Sequence, residues 1–237
     1  MRSILKCCQD AVSKVGFDPP GSLTGSSDYA RQLLAIANTV GGALSIRKDW
    51  QAMTEEGIFT TVAAEEQFTV LTQFPYLKKI IDDTMFNRTQ QKRVRGPVSP
   101  QAWQRIKSET VSPSDLYYRL RGGRLYLMSA PEAGETIAFE YYDTRFAATA
   151  AGTAKEFFTL DTDVPRIDDE LYVLGVRWHF LKEKGFDYGE TFREYEDRIE
   201  SAAGGDVPAE VLNLNPRACD GYEMPDGYIP EGNWPTS

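Results

Sequence analysis

The segment 171–181 constrains the fold most, because it is apolar on nearly every face of a helix. It reads Leu-Tyr-Val-Leu-Gly-Val-Arg-Trp-His-Phe-Leu and carries a single formal charge, at Arg177. A helix of this kind must be covered by protein on most of its sides. A monomer with four helices buries such a helix with difficulty, whereas a neighbouring subunit could cover further faces. The expected inter-subunit contacts are Leu171, Tyr172, Leu174, Trp178 and Leu181.

Apolar periodicity predicts helices on both sides of a long central region. Residues spaced by three and four positions predict helices over 3–15, 26–49, 165–185 and 187–204. Asp187 and Glu190 form a capping-box-like start for the last of these. Gly41 and Gly42 interrupt the second helix at a cost of roughly 1 kcal/mol each. Such a pair indicates close packing of another backbone, or a kink.

The region between the second and third helices has the composition and the period of β-strands. The clearest signal is a hairpin over 115–128, in which Gly122 and Gly123 supply the positive φ angles of a two-residue turn. Other strands are predicted at 57–62, 68–71, 85–86, 93–98 and 136–142, with a short helix from Pro100 to about Ser108.

These segments together predict an α+β fold: a four-helix bundle with a β-rich insertion between helices 2 and 3 and an extended C-terminal arm. The ends of the insertion must lie close together if the four helices pack as one bundle. The expected boundaries are 1–52 for the N-terminal helix pair, 53–162 for the insertion, 163–204 for the C-terminal helix pair and 205–237 for the arm.

The predicted arm differs in composition from the rest of the chain. Residues 206–237 contain five prolines, six acidic residues and one arginine. A merely solvated tail tends to lack aromatic residues, but this one carries them at intervals. We therefore expect an arm that docks onto a partner through Leu212, Leu214, Tyr222, Tyr228, Ile229 and Trp234. Fully extended, the 33 residues from Gly205 could reach about 110 Å.

The charge distribution limits the role of nucleic acid. The net charge of −9 at pH 7 argues against a protein that coats nucleic acid, although not against one that DNA slides past. The stretch 77–107 is locally basic, with eight Lys or Arg against two Asp. A basic patch at Arg88, Lys92, Arg93 and Arg95 either faces an acidic partner or DNA, or keeps an exposed hairpin soluble.

No catalytic, cofactor or metal site can be drawn from the sequence. One histidine and three cysteines do not supply a set of zinc ligands at suitable spacings. The histidine, His179, is expected to be structural, and the glycine-rich stretches match no phosphate or dinucleotide loop. No run of about 18 apolar residues predicts a membrane span, and no signal peptide is evident. We therefore expect a cytoplasmically assembled, non-enzymatic protein without cofactors.

Several short local patterns are typical of one family. They are Arg47-Lys-Asp-Trp50, Ile58-Phe-Thr-Thr-Val62, Asp83-Thr-Met-Phe-Asn-Arg-Thr89, Gly96-Pro-Val-Ser-Pro-Gln-Ala-Trp103, Tyr118-Arg-Leu-Arg-Gly-Gly123, Ile137-Ala-Phe-Glu-Tyr141, Asp168-Asp-Glu-Leu-Tyr172, Lys184-Gly-Phe-Asp-Tyr188 and Phe192-Arg-Glu-Tyr195. Spread over residues 1–204, they resemble the head-to-tail adaptor (connector or tail accessory) proteins of tailed bacteriophages.

The resemblance implies a structural virion protein that forms a homo-oligomeric ring, usually a dodecamer, beneath the portal vertex. It implies that the arm reaches the portal protein and that the opposite rim meets tail proteins. It also implies that the genome passes through the lumen during ejection without sequence-specific binding. Assembly would take place in the host cytoplasm, with the ring then located at the head–tail interface of the virion and in contact with no membrane.

Other classes of function stay open at this point. A carbohydrate-binding or depolymerising tail component would need paired acids in an aromatic cleft, with tyrosines such as Tyr117, Tyr118 and Tyr141 as stacking residues. A small-molecule enzyme would depend on His179. Another ring protein of the virion, such as a stopper or a tail-tube terminator, is a further alternative.

Overall fold

The structure is a computed structural model that describes residues 1–108, 115–128 and 130–206. These residues form six α-helices, one 3₁₀ turn at Gln51–Met53 and eleven β-strands. The helices are α1 (Ile4–Ser13), α2 (Asp28–Arg47), α3 (Val70–Gln73), α4 (Pro100–Ser108), α5 (Asp169–Glu183) and α6 (Gly189–Asp206). The strands are β1 (Thr54–Thr60), β2 (Glu66–Thr69), β3 (Leu77–Ile80), β4 (Phe86–Asn87), β5 (Lys92–Arg95), β6 (Leu116–Arg121), β7 (Arg124–Met128), β8 (Thr136–Asp143), β9 (Ala147–Ala148), β10 (Ala154–Lys155) and β11 (Val164–Pro165).

Eight strands form one large, curled sheet of mixed direction. Its order is β1-β8-β4-β5-β6-β7-β2, and β3 pairs with β8 beside this path. The β5–β6 pair is parallel, with α4 in the connection between the two strands, and the other pairs are antiparallel. A separate small sheet has the order β10-β9-β11.

The predicted hairpin is confirmed. Tyr117 to Arg121 pair with Arg124 to Met128, and the two turn glycines have φ angles of +57° and +72°. Because side chains alternate between the faces of a strand, one face of the sheet collects the apolar residues. Its core consists of Phe59, Val70, Ile80, Met85, Val94, Tyr118, Leu125, Leu127, Ile137, Phe139 and Tyr141.

A second core lies among the helices, with α5 at its centre. The helices α1, α2 and α6 all pack against α5. At Gly175, α5 lies very close to α2 and α6. A Cβ there would lie 2.5 Å from Cγ1 of Val40 and 3.1 Å from the ring of Tyr195. The position of α5 explains why it is apolar on nearly every face: three helices of its own chain cover it.

The fold class predicted from the sequence is wrong. The sequence predicts a four-helix bundle with a β-rich insertion, whereas the structure is an α+β fold with six described helices and an eight-stranded curled sheet that has its own core. The periodicity locates the segments but does not reveal that most of the strands join into one extensive sheet. Residues 1–206 form one compact unit, and Phe146 and Phe158, from the predicted insertion, belong to the helical core.

The start of α5 also differs from the prediction. Pro165 belongs to β11, and the helix begins at Asp169 after the cap residue Asp168, whose carboxylate accepts a 3.0 Å hydrogen bond from the backbone of Glu170. At the other end of the helical region, α6 continues through Gly204 and Gly205, where the predicted helix stops. Across the described parts of the chain, no helix combines the length and apolar character that a membrane crossing requires.

A buried ion cluster joins the sheet to the helical region. The carboxylate of Asp143, at the end of β8, contacts Arg145 at 2.7 Å and Arg166 at 2.8 Å. Arg166, three residues before α5, also contacts Glu55 of β1 at 2.8 Å. The side chain of Asp143 is fully buried, so its charge depends on these partners.

Candidate functional site

The turn between α5 and α6 presents aromatic side chains to solvent. Gly185 ends α5 with a φ of +76°, and the carboxylate of Asp187 then accepts a hydrogen bond from the backbone of Gly189 at 3.0 Å. Phe186 and Tyr188 in this turn are 51% and 39% exposed, and Phe192 near the start of α6 is 37% exposed.

Two of these side chains, Tyr188 and Phe192, contact Trp178, which is half-buried on α5. The ring of Trp178 lies 5.1 Å from that of Phe192 and 6.2 Å from that of Tyr188. Phe186 contacts Phe17 at 6.0 Å. We call Trp178, Tyr188 and Phe192 the aromatic patch. Single exposed apolar residues are ordinary on a protein surface, but a contiguous group marks an interaction site.

The five residues predicted to pack between subunits are not equivalent. Leu171, Tyr172 and Leu181 are buried in the core of their own chain, which leaves almost none of their surface for a neighbouring subunit to contact. Leu174 and Trp178 are half-buried and retain exposed surface. Of these two, Trp178 lies in the aromatic patch.

A second apolar surface is a loop that sequence reasoning missed. Phe157 and Leu160 are 51% and 54% exposed, although Phe158 between them is buried in the helical core. We call residues 156–160 the apolar loop. Its sequence signal is two adjacent phenylalanines and a leucine in a stretch without strand or helix period, where the backbone cannot turn every side chain inward.

Hydrogen bonds hold the apolar loop in a defined shape. The side-chain amide of Asn38, on α2, donates to the carbonyl of Phe158 at 3.3 Å and accepts from its N–H at 2.8 Å. The carboxylate of Asp163 accepts from the backbone of Thr159 at 2.8 Å and of Leu160 at 2.9 Å, and from Lys155 at 2.6 Å. Burial raises the pKa of Asp163, but these hydrogen bonds outweigh burial, so the pKa is lowered overall. The loop is thus fixed from two sides.

The two surfaces lie on different sides of α5. Phe158 packs against Tyr172, with ring centroids 5.5 Å apart, whereas the aromatic patch is centred on Trp178. With 3.6 residues per turn, six residues along a helix correspond to a rotation that leaves these positions about 120° apart. The two surfaces are therefore associated with different faces of α5.

The predicted basic patch is largely neutralised by nearby carboxylates. Lys92, Arg93 and Arg95 lie on β5, and Arg88 directly follows β4, which pairs with β5. Arg88 pairs with Glu56, Arg93 with Asp83, and Arg95 with Asp115 at 3.2 Å, while Lys92 is exposed. These pairs favour the interpretation of the patch as a solvated hairpin over that of an anion-binding surface.

His179 lies beside the aromatic patch rather than in a cleft. Its ring stacks on that of Trp178 with 3.7 Å between centroids. Burial lowers its pKa, and the positive charge of Lys182 lowers it further against a smaller opposing effect of Glu183. The described residues contain no group of three or more His, Cys, Asp or Glu that could hold a metal ion.

Other predicted residues have structural positions or lie outside the described residues. Tyr118 and Tyr141, candidate sugar-stacking residues, are buried in the core of the sheet. Cys7 and Cys8 are buried free thiols, and burial raises the pKa of Cys7 to about 12. The predicted arm contacts Leu212, Leu214, Tyr222, Tyr228, Ile229 and Trp234 lie outside the described residues.

Compared with known proteins, the chain matches no family model and no curated protein. The geometry of the two apolar surfaces is therefore the main structural guide to its role.

Proposed function

We propose that this chain is a structural virion protein of a tailed bacteriophage, a head-to-tail adaptor that forms a ring beneath the portal. The observation that supports a ring is the pair of unlike apolar surfaces, the aromatic patch and the apolar loop. A closed ring needs a heterologous contact, in which each subunit uses one surface toward one neighbour and a different surface toward the other. A two-fold dimer would instead need only one self-complementary surface.

The assignment to the head–tail junction comes from the resemblance of the local sequence patterns. In this role the ring contacts the portal through the C-terminal arm and the tail through the opposite rim. The net charge of −9 suits a lumen through which DNA passes, because few phosphate contacts would retain it. The protein would act by assembly, as a non-enzymatic component of the virion put together in the host cytoplasm.

The test is to mix the purified chain with the portal protein of the same phage and to measure the masses of the intact complexes by native mass spectrometry. We expect one dominant complex with a fixed whole number of chains for each portal, twelve in the case of a dodecameric ring. A portal that binds no copies, or a broad distribution of copy numbers without a preferred value, would contradict the proposal.

A further inference from the structure

We propose that the apolar loop of one subunit seats on the aromatic patch of the next subunit in the ring. This inference rests on the proposed ring and names the contact that closes it. The occupant of the patch is a second copy of this chain, because the chain carries a complementary surface on another side.

The apolar loop has a fixed conformation, which suits it to bind the aromatic patch of a neighbouring subunit. Phe157 and Leu160 project from a loop that Asn38 and Asp163 already fix, so little conformational entropy is lost when the loop binds. The aromatic patch offers the edges and faces of Tyr188 and Phe192 around Trp178. Aromatic residues are enriched at the centres of protein interfaces, where they supply much of the binding energy.

The charges beside the two surfaces are also complementary. Glu156 is exposed next to Phe157, and Lys182 is exposed with its ammonium 5.8 Å from the ring centroid of Trp178. Among the described residues neither Glu156 nor Lys182 has an ion-pair partner. Bringing the apolar loop onto the aromatic patch would place these opposite charges at the rim of one contact. Such pairs select the partner and its orientation.

Charge reversal tests the contact. Glu156→Lys and Lys182→Glu are made singly and together, and portal-bound rings are counted by native mass spectrometry. Each single change places like charges at the contact and should lower ring yield about tenfold. The double variant should return to within about twofold of the wild-type yield. Glu132→Lys, at an exposed position away from both surfaces in sequence, is the matched control and should leave ring yield unchanged.

Disulfide trapping provides an independent readout. In a Cys219→Ser background, Phe157→Cys combined with Phe192→Cys should give a ladder of covalent multimers when assembled rings are oxidised. Leu71→Cys with Phe192→Cys is the control, because Leu71 is exposed on α3 and should give no ladder. Circular dichroism and the thermal midpoint confirm that each variant is folded.

The outcomes separate this inference from the proposed function. If both single charge reversals form rings in normal yield and oxidation gives no ladder of covalent multimers, the proposed contact is wrong. The proposed ring itself would not be contradicted by that result. Failure of the wild-type chain to form any ring with the portal would overturn both.

Discussion

Gly41 and Gly42 are adjacent in α2 but have different surroundings, which the sequence alone does not distinguish. A Cβ on Gly41 would lie 2.2 Å from a ring carbon of Phe146, whereas a Cβ on Gly42 would meet no atom within 4 Å. The close approach expected from the sequence is therefore real at Gly41 only, and the neighbour is an aromatic ring rather than a backbone.

Alanine substitution should separate the two glycines. Gly41→Ala forces the ring of Phe146 to move and should lower the free energy of unfolding by about 1–3 kcal/mol, as overpacking does. Gly42→Ala gains helix propensity without a clash and should raise it by up to about 1 kcal/mol. Urea denaturation of both variants measures the difference, and equal effects would contradict the packing described for α2.

His179 should make stability depend on pH in a narrow range. Its folded pKa is lower than the unfolded value of about 6.5, so below pH 6.5 the unfolded chain binds more protons than the folded chain. Its contribution to stability is therefore complete above about pH 6.5 and is lost as the pH falls through the folded pKa. The carboxylates with lowered pKa, such as Asp10 and Glu196, act at lower pH, because their ordinary values are 3.8 and 4.5.

We expect His179→Gln to flatten the dependence of the thermal midpoint on pH between about 7 and 5. The slope below pH 4 should remain, since the carboxylates are unchanged. An unchanged slope between pH 7 and 5 in His179→Gln would contradict a lowered pKa for His179.

At the scale of elements, α5 shows what the sequence can and cannot establish. Periodicity and composition predict a helix here that is covered on most sides, and the structure confirms both. What covers it could not be predicted, because an apolar stripe has the same composition whether it faces α1, α2, α6 or another subunit. The start of α5 was misplaced because Pro165 is as acceptable at the end of β11 as in a first helical turn.

The strands illustrate the same limit. The 115–128 hairpin could be predicted from two alternating arms around Gly122 and Gly123, since that turn has a local chemical signature. β9, β10 and β11 have two residues each and leave no period to detect. The connection between β10 and β11 contains the apolar loop, so this half of the candidate site has no sequence signal beyond its apolar composition.

The ion cluster that joins sheet and helices should contribute strongly to stability. Asp143→Asn removes the buried charge that faces Arg145 and Arg166 and should lower the free energy of unfolding by about 3 kcal/mol. Asp28→Asn is the control, because Asp28 pairs with Arg31 in full solvent and its loss should change little. Thermal unfolding followed by circular dichroism compares the two, and similar midpoints for both variants would argue against a role for the cluster in joining the two regions.

At the scale of the whole molecule, the chain presents two unlike apolar surfaces rather than one. The sequence predicts Trp178 at a subunit interface but does not connect it with Tyr188 and Phe192, its partners in the aromatic patch. Their exposure depends on the turn that follows Gly185 and on how α6 packs against α5, and neither is encoded in local periodicity. The proposed ring is argued from these two surfaces, and the proposed identity of its partners is argued from the resemblance of short sequence patterns.

Electron cryomicroscopy of the chain assembled with portal protein would show the proposed ring and its subunit contacts. We expect one closed ring of additional density on the tail side of the portal, with an open lumen and with the α5–α6 turn of each subunit against its neighbour. Portal particles without that density, beside free single chains, would contradict it.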